Sequence, residues 1–221
     1  MRRFDFRLAL VSGGATLVYL ALALWAWGDV AGFFGHPARL GLVIATAVLM
    51  IVASFSGISA FSRGRRESAG SRWVFAPLFL LALTLAFLPP YTDRRNLLTF
   101  DGDLVRYLGL VAFVVGSSIR VVSMFVLGNR FSVLVAIQPE HKLEKGSIYR
   151  FILHPSYAGA LLALLGSVLV FRSGPGLILS LAVLPIVVWR INNEERLLES
   201  EFGAEYSEYQ RNTWRLVPFL Y

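Results

Sequence analysis

An all-α protein that crosses a membrane several times is what this sequence predicts, and three observations carry the prediction. The chain is 56% hydrophobic and only 16% charged, against about 25% charged in an ordinary soluble domain. Its mean hydropathy is +0.63. The apolar residues fall in long runs separated by short polar stretches, and a run of about twenty crosses about 30 Å of hydrocarbon.

Six runs follow in order. The first extends from Leu8 to Trp27 and the second from Leu40 to Phe61. The third covers Trp73 to Leu88 and is expected to stop at Pro89–Pro90, because proline lacks a backbone donor and clashes with the preceding turn. The fourth covers Leu104 to Leu127. The last two, Ser156–Phe171 and Pro175–Trp189, are shorter and joined by the tight Arg172–Ser173–Gly174 link. That pattern predicts a helical hairpin, tilted or incompletely spanning. The expected fold is a multispanning integral membrane helical protein with about five to six transmembrane segments and a C-terminal helical hairpin. No repeat, low-complexity tract or long polar domain interrupts it. The chain therefore reads as one structural domain, with a transmembrane scaffold over 1–103 and a functional half over 104–221.

The charge balance supports this class. A net charge of +7 could suggest a nucleic-acid partner, but the basic residues sit in short loops rather than on one continuous face. That distribution points to membrane lipids and topology, with no nucleic acid. Arg2, Arg3 and Arg7 precede the first run, and Arg63, Arg65, Arg66 and Arg72 lie between the second and third. Arg130, Lys142, Lys145 and Arg150 lie between the fourth and fifth, and Arg196, Arg211 and Arg215 follow the sixth. If the chain alternates, all these segments share one side, which the positive-inside rule places in the cytoplasm. The opposite side holds Asp29, Arg39, Asp93–Arg94–Arg95, Asp101, Asp103 and Arg172. A cleaved signal peptide is the alternative for the N-terminus. The first run is longer than a signal core and lacks a clear cleavage site, so a retained span is expected.

The complete lack of cysteine excludes disulfides, thiolate catalysis and cysteine-ligated metals. The three histidines are His36, His141 and His154. None lies in a helical His/Glu ligand pattern, so no metal site is expected.

Candidate chemistry concentrates beside the last two runs. In His154–Pro155–Ser156–Tyr157, proline stands at the expected first helical position, where its missing N–H is not needed. The free N–H groups of that first turn and the positive end of the helix dipole suit a carboxylate. Tyr149 and His154 can add side-chain donors. The plainer reading is a capped helix entering the membrane with an interfacial histidine and tyrosine. Arg190 and Glu194 are four residues apart and share one helix face. They could form an intrahelical ion pair, or Arg190 could snorkel to the interface. Brought back towards His154 by the hairpin, Glu194 could instead hold a ligand ammonium and Arg190 a second anion. Arg120 lies deep in the fourth run and should face a polar cavity or partner. Glu194, a bound ligand or a structural contact with a neighbouring helix would each serve.

These residues carry a family resemblance. Gly116-x-x-x-Arg120, Gly128 and Phe131, His141-x-Leu143 and Gly146-x-x-Tyr149 are followed by His154-Pro-Ser-Tyr-x-Gly159 and Arg190-x-x-x-Glu194-Glu195. Phe202-Gly203-x-x-Tyr206-x-x-Tyr209 and Pro218-Phe219 complete the order. Over about residues 105–221 the chain resembles the isoprenylcysteine carboxyl methyltransferase family, in the form of a prokaryotic integral-membrane member. The resemblance implies S-adenosylmethionine as cofactor, S-adenosylhomocysteine as product and a lipophilic small-molecule or lipid acceptor that enters from the bilayer. It implies cofactor contacts from His141, Lys142, Leu143, Glu144, Tyr149, His154, Pro155, Ser156, Tyr157 and Glu194. It implies that Arg190 faces the acceptor carboxylate. Arg190 and His154 are the expected catalytic residues, and Arg190 and Arg120 the expected acceptor contacts. One position departs from the family: Ala136 stands where eukaryotic members place a cofactor-contacting glutamine, with Gln138 two residues on.

The expected activity is therefore methyl transfer to an isoprenylcysteine-type carboxylate. The expected location is a bacterial inner membrane, with the N-terminus and active site cytoplasmic. A carboxylate acceptor needs no general base, whereas an amine acceptor would need His154 or Glu144. The alternatives are a phospholipid or other lipid amine N-methyltransferase, an NADPH-dependent sterol-type reductase and a non-enzymatic membrane protein.

Overall fold

The structure is a computed structural model and describes residues 6–56, 66–67, 74–128, 136–137 and 143–218. Its helices are α1 (Phe6–Trp27), α2 (Val30–Phe34), α3 (Pro37–Ala53), α4 (Phe75–Arg94) and α5 (Asp103–Leu127). They continue as α6 (Pro155–Val170), α7 (Gly174–Leu181), α8 (Val183–Phe202) and α9 (Ala204–Arg211). A 3-10 turn covers Ser147–Arg150, and the short strands β1 (Arg66–Glu67) and β2 (Ala136–Ile137) pair antiparallel.

Each expected apolar run corresponds to helix in its described part; the second run ends as helix at Ala53, and its residues 57–61, like residue 73 of the third, lie outside the described residues. Among the described residues four helical stretches, Ala9–Trp27, Ala76–Arg94, Asp103–Leu127 and Gly174–Phe202, are long and apolar enough to cross a membrane. Helices α3 and α6 are apolar but shorter. The hairpin expected at the C-terminus is present as α6 and α7, which turn at Arg172–Ser173.

The closest helix packing is between α5 and α6, and glycine explains it. Gly109 and Gly116 on α5 face Gly166 and Gly159 on α6. A Cβ on Gly116 would stand 2.5 Å from the backbone nitrogen of Ala163, and one on Gly166 would stand 2.3 Å from that of Phe113. Lipid gives no hydrophobic drive for helices to associate, so contact comes from backbones that small residues allow to approach. This seam fixes the start of α6, where the candidate site lies, against the C-terminal half of α5.

The prolines of α4 do not end it. Pro89 and Pro90 lie inside the helix, fully buried, and α4 continues to Arg94. Pro89 packs where Gly176 of α7 leaves room: a Cβ there would be 2.9 Å from the proline Cγ. The Thr92 hydroxyl lies 3.1 Å from the Pro89 carbonyl and 2.8 Å from the Ser173 hydroxyl. Ser173 in turn caps α7 by accepting from the Gly176 N–H at 2.9 Å. The helix beyond the prolines is thus held against the α7 segment, by Pro89 at Gly176 and by Thr92 at Ser173. The added turn carries Asp93 into a buried cluster with Arg106, Arg172 and Arg39.

The last helix also differs from the expected run. It is interrupted at Ala182, whose N–H bonds back only to Leu179 and Ser180, in a tightened turn. Pro185 accounts for this, since it has no N–H to offer the carbonyl four residues earlier. Beyond it, α8 runs past Trp189 as far as Phe202 and so presents Arg190, Glu194 and Glu195 on a continuous helix.

Candidate functional site

The site is assembled at the N-terminal end of α6. Pro155 occupies the first turn, as the sequence predicts, and His154 is the N-cap residue with no side-chain capping bond. Both are buried. Two chain segments close on this point. The 3-10 turn delivers Tyr149 from one side. From the other, Gly203 (φ +53°) turns the chain from α8 into α9, after which residues 214–215 run beside residues 151–154. The Leu153 N–H donates to the Trp214 carbonyl at 2.7 Å and the His154 N–H to the Arg215 carbonyl at 3.1 Å.

Helix α8 supplies two adjacent carboxylates, and its geometry sends them to different partners, since neighbours on a helix are rotated by about 100°. Glu194 accepts from the Tyr157 hydroxyl at 2.8 Å, and that hydroxyl accepts from Arg190 Nε at 3.0 Å. The expected proximity of Arg190 and Glu194 is thus mediated by a tyrosine of α6. Glu195 meets His154 Nε2 at 3.1 Å. It also accepts from Arg215 Nε at 2.8 Å and from Gln210 Nε2 at 3.2 Å, and Arg215 Nη2 bridges Glu195 and Asn192.

Arg120 reaches the same helix end, but not Glu194. Its Nη1 lies 3.3 Å from both the carbonyl and the hydroxyl oxygen of Ser156. Arg120 and Arg190 are close enough to interact electrostatically, so two guanidinium groups stand near Tyr157.

Tyrosines line the remaining wall. Tyr149 is buried, and burial, with Glu194 adding to it, pushes its phenol above the usual range; its side chain also bonds to Ser123. It therefore stays a neutral donor. Its carbonyl accepts from the Tyr209 hydroxyl at 2.5 Å. Tyr206, 2% exposed, carries a buried hydroxyl without a hydrogen-bond partner among the described residues, and burial followed by Glu195 and Glu194 raises its pKa.

Of the residues expected from the sequence, the fold brings together Arg120, Tyr149, His154, Pro155, Ser156, Tyr157, Arg190 and Glu194. Leu143 packs on the Leu153–Tyr206–Tyr209 cluster, and Glu144 Oε1 accepts from the Gly146 N–H at 3.0 Å. His141, Lys142 and Gln138 lie outside the described residues. The structure adds Glu195, Gln210, Asn192 and Arg215 to this group. Glu195 had a signal in standing next to Glu194; Arg215 had none, because only the return of the chain beside His154 gives it a role. Among the described residues no group of three or more His, Asp or Glu side chains could hold a metal ion.

Fold and site together define an integral-membrane helical protein with a polar, doubly carboxylate-bearing site at one end of its bundle. Residues 104–205 match the family described as phospholipid methyltransferase. The chain is 28% identical over 186 residues to a probable protein-S-isoprenylcysteine O-methyltransferase of Oryza sativa subsp. indica, covering 80% of this chain and 95% of that protein. It is 32% identical over 153 residues to protein-S-isoprenylcysteine O-methyltransferase A of Arabidopsis thaliana, covering 64% and 74%. In fold it is similar to the solved eukaryotic intramembrane Ras methyltransferase, an isoprenylcysteine carboxyl methyltransferase, with a TM-score of 0.51, 17% identity and 97% of each chain covered. The chain belongs to the isoprenylcysteine carboxyl methyltransferase family and is a membrane-embedded methyltransferase. This membership sets the reductase and non-enzymatic alternatives aside.

Proposed function

We propose that the protein transfers a methyl group from S-adenosylmethionine to the carboxylate of a lipophilic acceptor of isoprenylcysteine type. The observation that carries this reading is the Arg190–Tyr157–Glu194 chain lying against the open N-terminus of α6. The amino-acid end of the cofactor bears one carboxylate and one ammonium. The first turn of α6, where no side chain makes the capping bond, suits the former, and Glu194 suits the latter.

When bound, S-adenosylmethionine supplies a methyl group already activated by its sulfonium. What remains for the protein is mainly positioning. Tyr157 holds Glu194 in place for the ammonium and at the same time orients Arg190. Arg190 aligns the acceptor carboxylate through its planar fork. Arg120 adds a second cation beside Ser156, at a depth where an acceptor arriving from the bilayer would place its acidic group. A carboxylate arrives deprotonated, so no base is required and His154 acts by binding and orientation. Leu143, Glu144 and Tyr149 complete the cofactor contacts, with His141 and Lys142 as further ones. The basic loops support a site open to the cytoplasm, in a bacterial inner membrane, where S-adenosylmethionine is available.

Calorimetric titration of the purified protein in lipid nanodiscs tests the cofactor. S-adenosylhomocysteine should bind and raise the melting temperature by mass action, whereas NADPH should do neither. Absence of S-adenosylhomocysteine binding would overturn the proposal.

A further inference from the structure

We propose that Arg215 is a positioning residue for His154, acting through Glu195 to fix the proton of the imidazole on Nε2 and leave Nδ1 for a ligand. The inference concerns the site described above and rests on reading it as the cofactor site.

The argument begins with the acceptor capacity of Glu195. An ionised carboxylate only accepts, with about four lone-pair positions. Arg215 donates to both of its oxygens, Gln210 donates to Oε2, and His154 Nε2 approaches Oε1 at 3.1 Å. A two-point guanidinium contact is charge-assisted and holds the carboxylate ionised and in one orientation. Opposite such a group, the proton of the shared bond must sit on the imidazole. Which ring nitrogen of a histidine carries hydrogen is set by the bond that the other nitrogen makes. With Nε2 committed to Glu195 and no capping bond made by the side chain, Nδ1 is the atom the ring offers to a ligand at the start of α6.

Arg215 is suited to this role by where its backbone lies. Its carbonyl accepts from the His154 N–H, and the Trp214 N–H donates to the Phe151 carbonyl at 3.3 Å. One residue of the C-terminal segment therefore holds the main chain of His154 directly and its ring through Glu195. The Asn192 side-chain oxygen accepts from the same Nη2 that reaches Glu195 and so helps to hold the guanidinium in place. A group that only tied the C-terminus down would need the backbone bonds alone. The side chain adds control of the charge and orientation of Glu195.

The test uses the full chain in nanodiscs with 15N-labelled histidine. Long-range proton–nitrogen correlation distinguishes the two ring tautomers, and the His154 signal among the three histidines is assigned by its loss in His154→Asn. The native protein should show the Nε2–H form. Arg215→Gln should give mixed tautomers and weaken S-adenosylhomocysteine binding about tenfold or more, and Arg215→Lys should recover part of that affinity. Glu195→Gln, nearly isosteric and able to donate as well as accept, should release the tautomer even if Arg215→Gln fails to fold. A lowered melting temperature with the Nε2–H form intact in these variants would reduce Arg215 to a structural tether and overturn the proposal. If the native protein binds no S-adenosylhomocysteine, the proposed function fails, while the tautomer measurement still decides the role of Arg215.

Discussion

Asp93 and Arg106 form a two-point ion pair, 2.6 and 2.8 Å long, with the aspartate side chain wholly buried. The pair lies at the end of α6 remote from the candidate site, where Arg106 also donates to the Val170 carbonyl at 2.8 Å. Arg172 reaches the same carboxylate at 3.0 Å and Arg39 lies 3.7 Å from it. One acid thus serves cations from α3, α5 and the α6–α7 turn. Arg39 relieves the excess by donating to the carbonyls of Phe33 and Gly32 and by stacking over Trp27 at 4.1 Å.

Asp93→Asn should therefore destabilise the fold strongly. It removes the buried counter-charge shared by three guanidinium groups, leaving Arg106, among the described residues, only the exposed Asp103 at 3.3 Å, a loss on the order of 3–5 kcal/mol. The measurement is thermal unfolding in detergent. The 16 residues of α6 put the cluster about 24 Å from the site, so S-adenosylhomocysteine affinity of the folded variant should stay close to native. A melting temperature unchanged from native would show that the cluster contributes nothing to stability.

The α5–α6 seam predicts a contrast between glycines. Gly116→Ala inserts a methyl group 2.5 Å from a backbone nitrogen of α6, so the helices must separate, at a cost of about 1–3 kcal/mol. Because α6 carries His154 at its head, ligand affinity should fall as well. Gly14→Ala in α1 meets nothing within 4 Å and should leave both properties near native. Equal melting curves for the two variants would argue against the close seam.

Tyr157→Phe tests the link between the two halves of the candidate site. It removes the hydroxyl that joins Arg190 to Glu194, so cofactor affinity and carboxylate methylation should fall together, affinity by about 1–3 kcal/mol. Arg190→Lys keeps the charge but not the two-point grip. It should lower turnover of a carboxylate acceptor by more than it weakens S-adenosylhomocysteine. Full activity of Arg190→Lys on a carboxylate acceptor would contradict the clamp and direct attention to amine acceptors.

Membrane orientation can be read with single cysteines, for which this cysteine-free chain is a clean background. Ser147 and Glu208 are near the site and accessible enough to report, and Leu98, 81% exposed, lies at the opposite end. In intact cells an impermeant reagent should label a cysteine at 98 and spare those at 147 and 208. Labelling at 147 instead would place the site away from cytosolic cofactor and sink the proposed function.

Much of this was legible in the chain. Apolar runs of membrane-crossing length revealed the helices, because burying backbone polar groups in hydrocarbon leaves little else that the chain can form. Pro155 announced the start of α6, since proline fits the first helical position and disrupts later ones. The same rule failed at Pro89–Pro90. There the contacts of Pro89 with Gly176 and of Thr92 with Ser173 hold the helix as it continues, and Gly176 and Ser173 come from a segment far away in sequence.

The sequence by itself determined the class of protein, the helical periodicity and the residue types of the site, because hydropathy and proline chemistry act locally. Only the tertiary structure decided who meets whom. It sent Glu194 to Tyr157 and Glu195 to His154, turned Arg120 to Ser156 rather than to Glu194, and brought Arg215 into the site. The physical reason is that hydrogen bonds and ion pairs require contact within about 3 Å. Such proximity depends on the packing of glycine-lined helices and the return of the C-terminal chain, which no local pattern encodes.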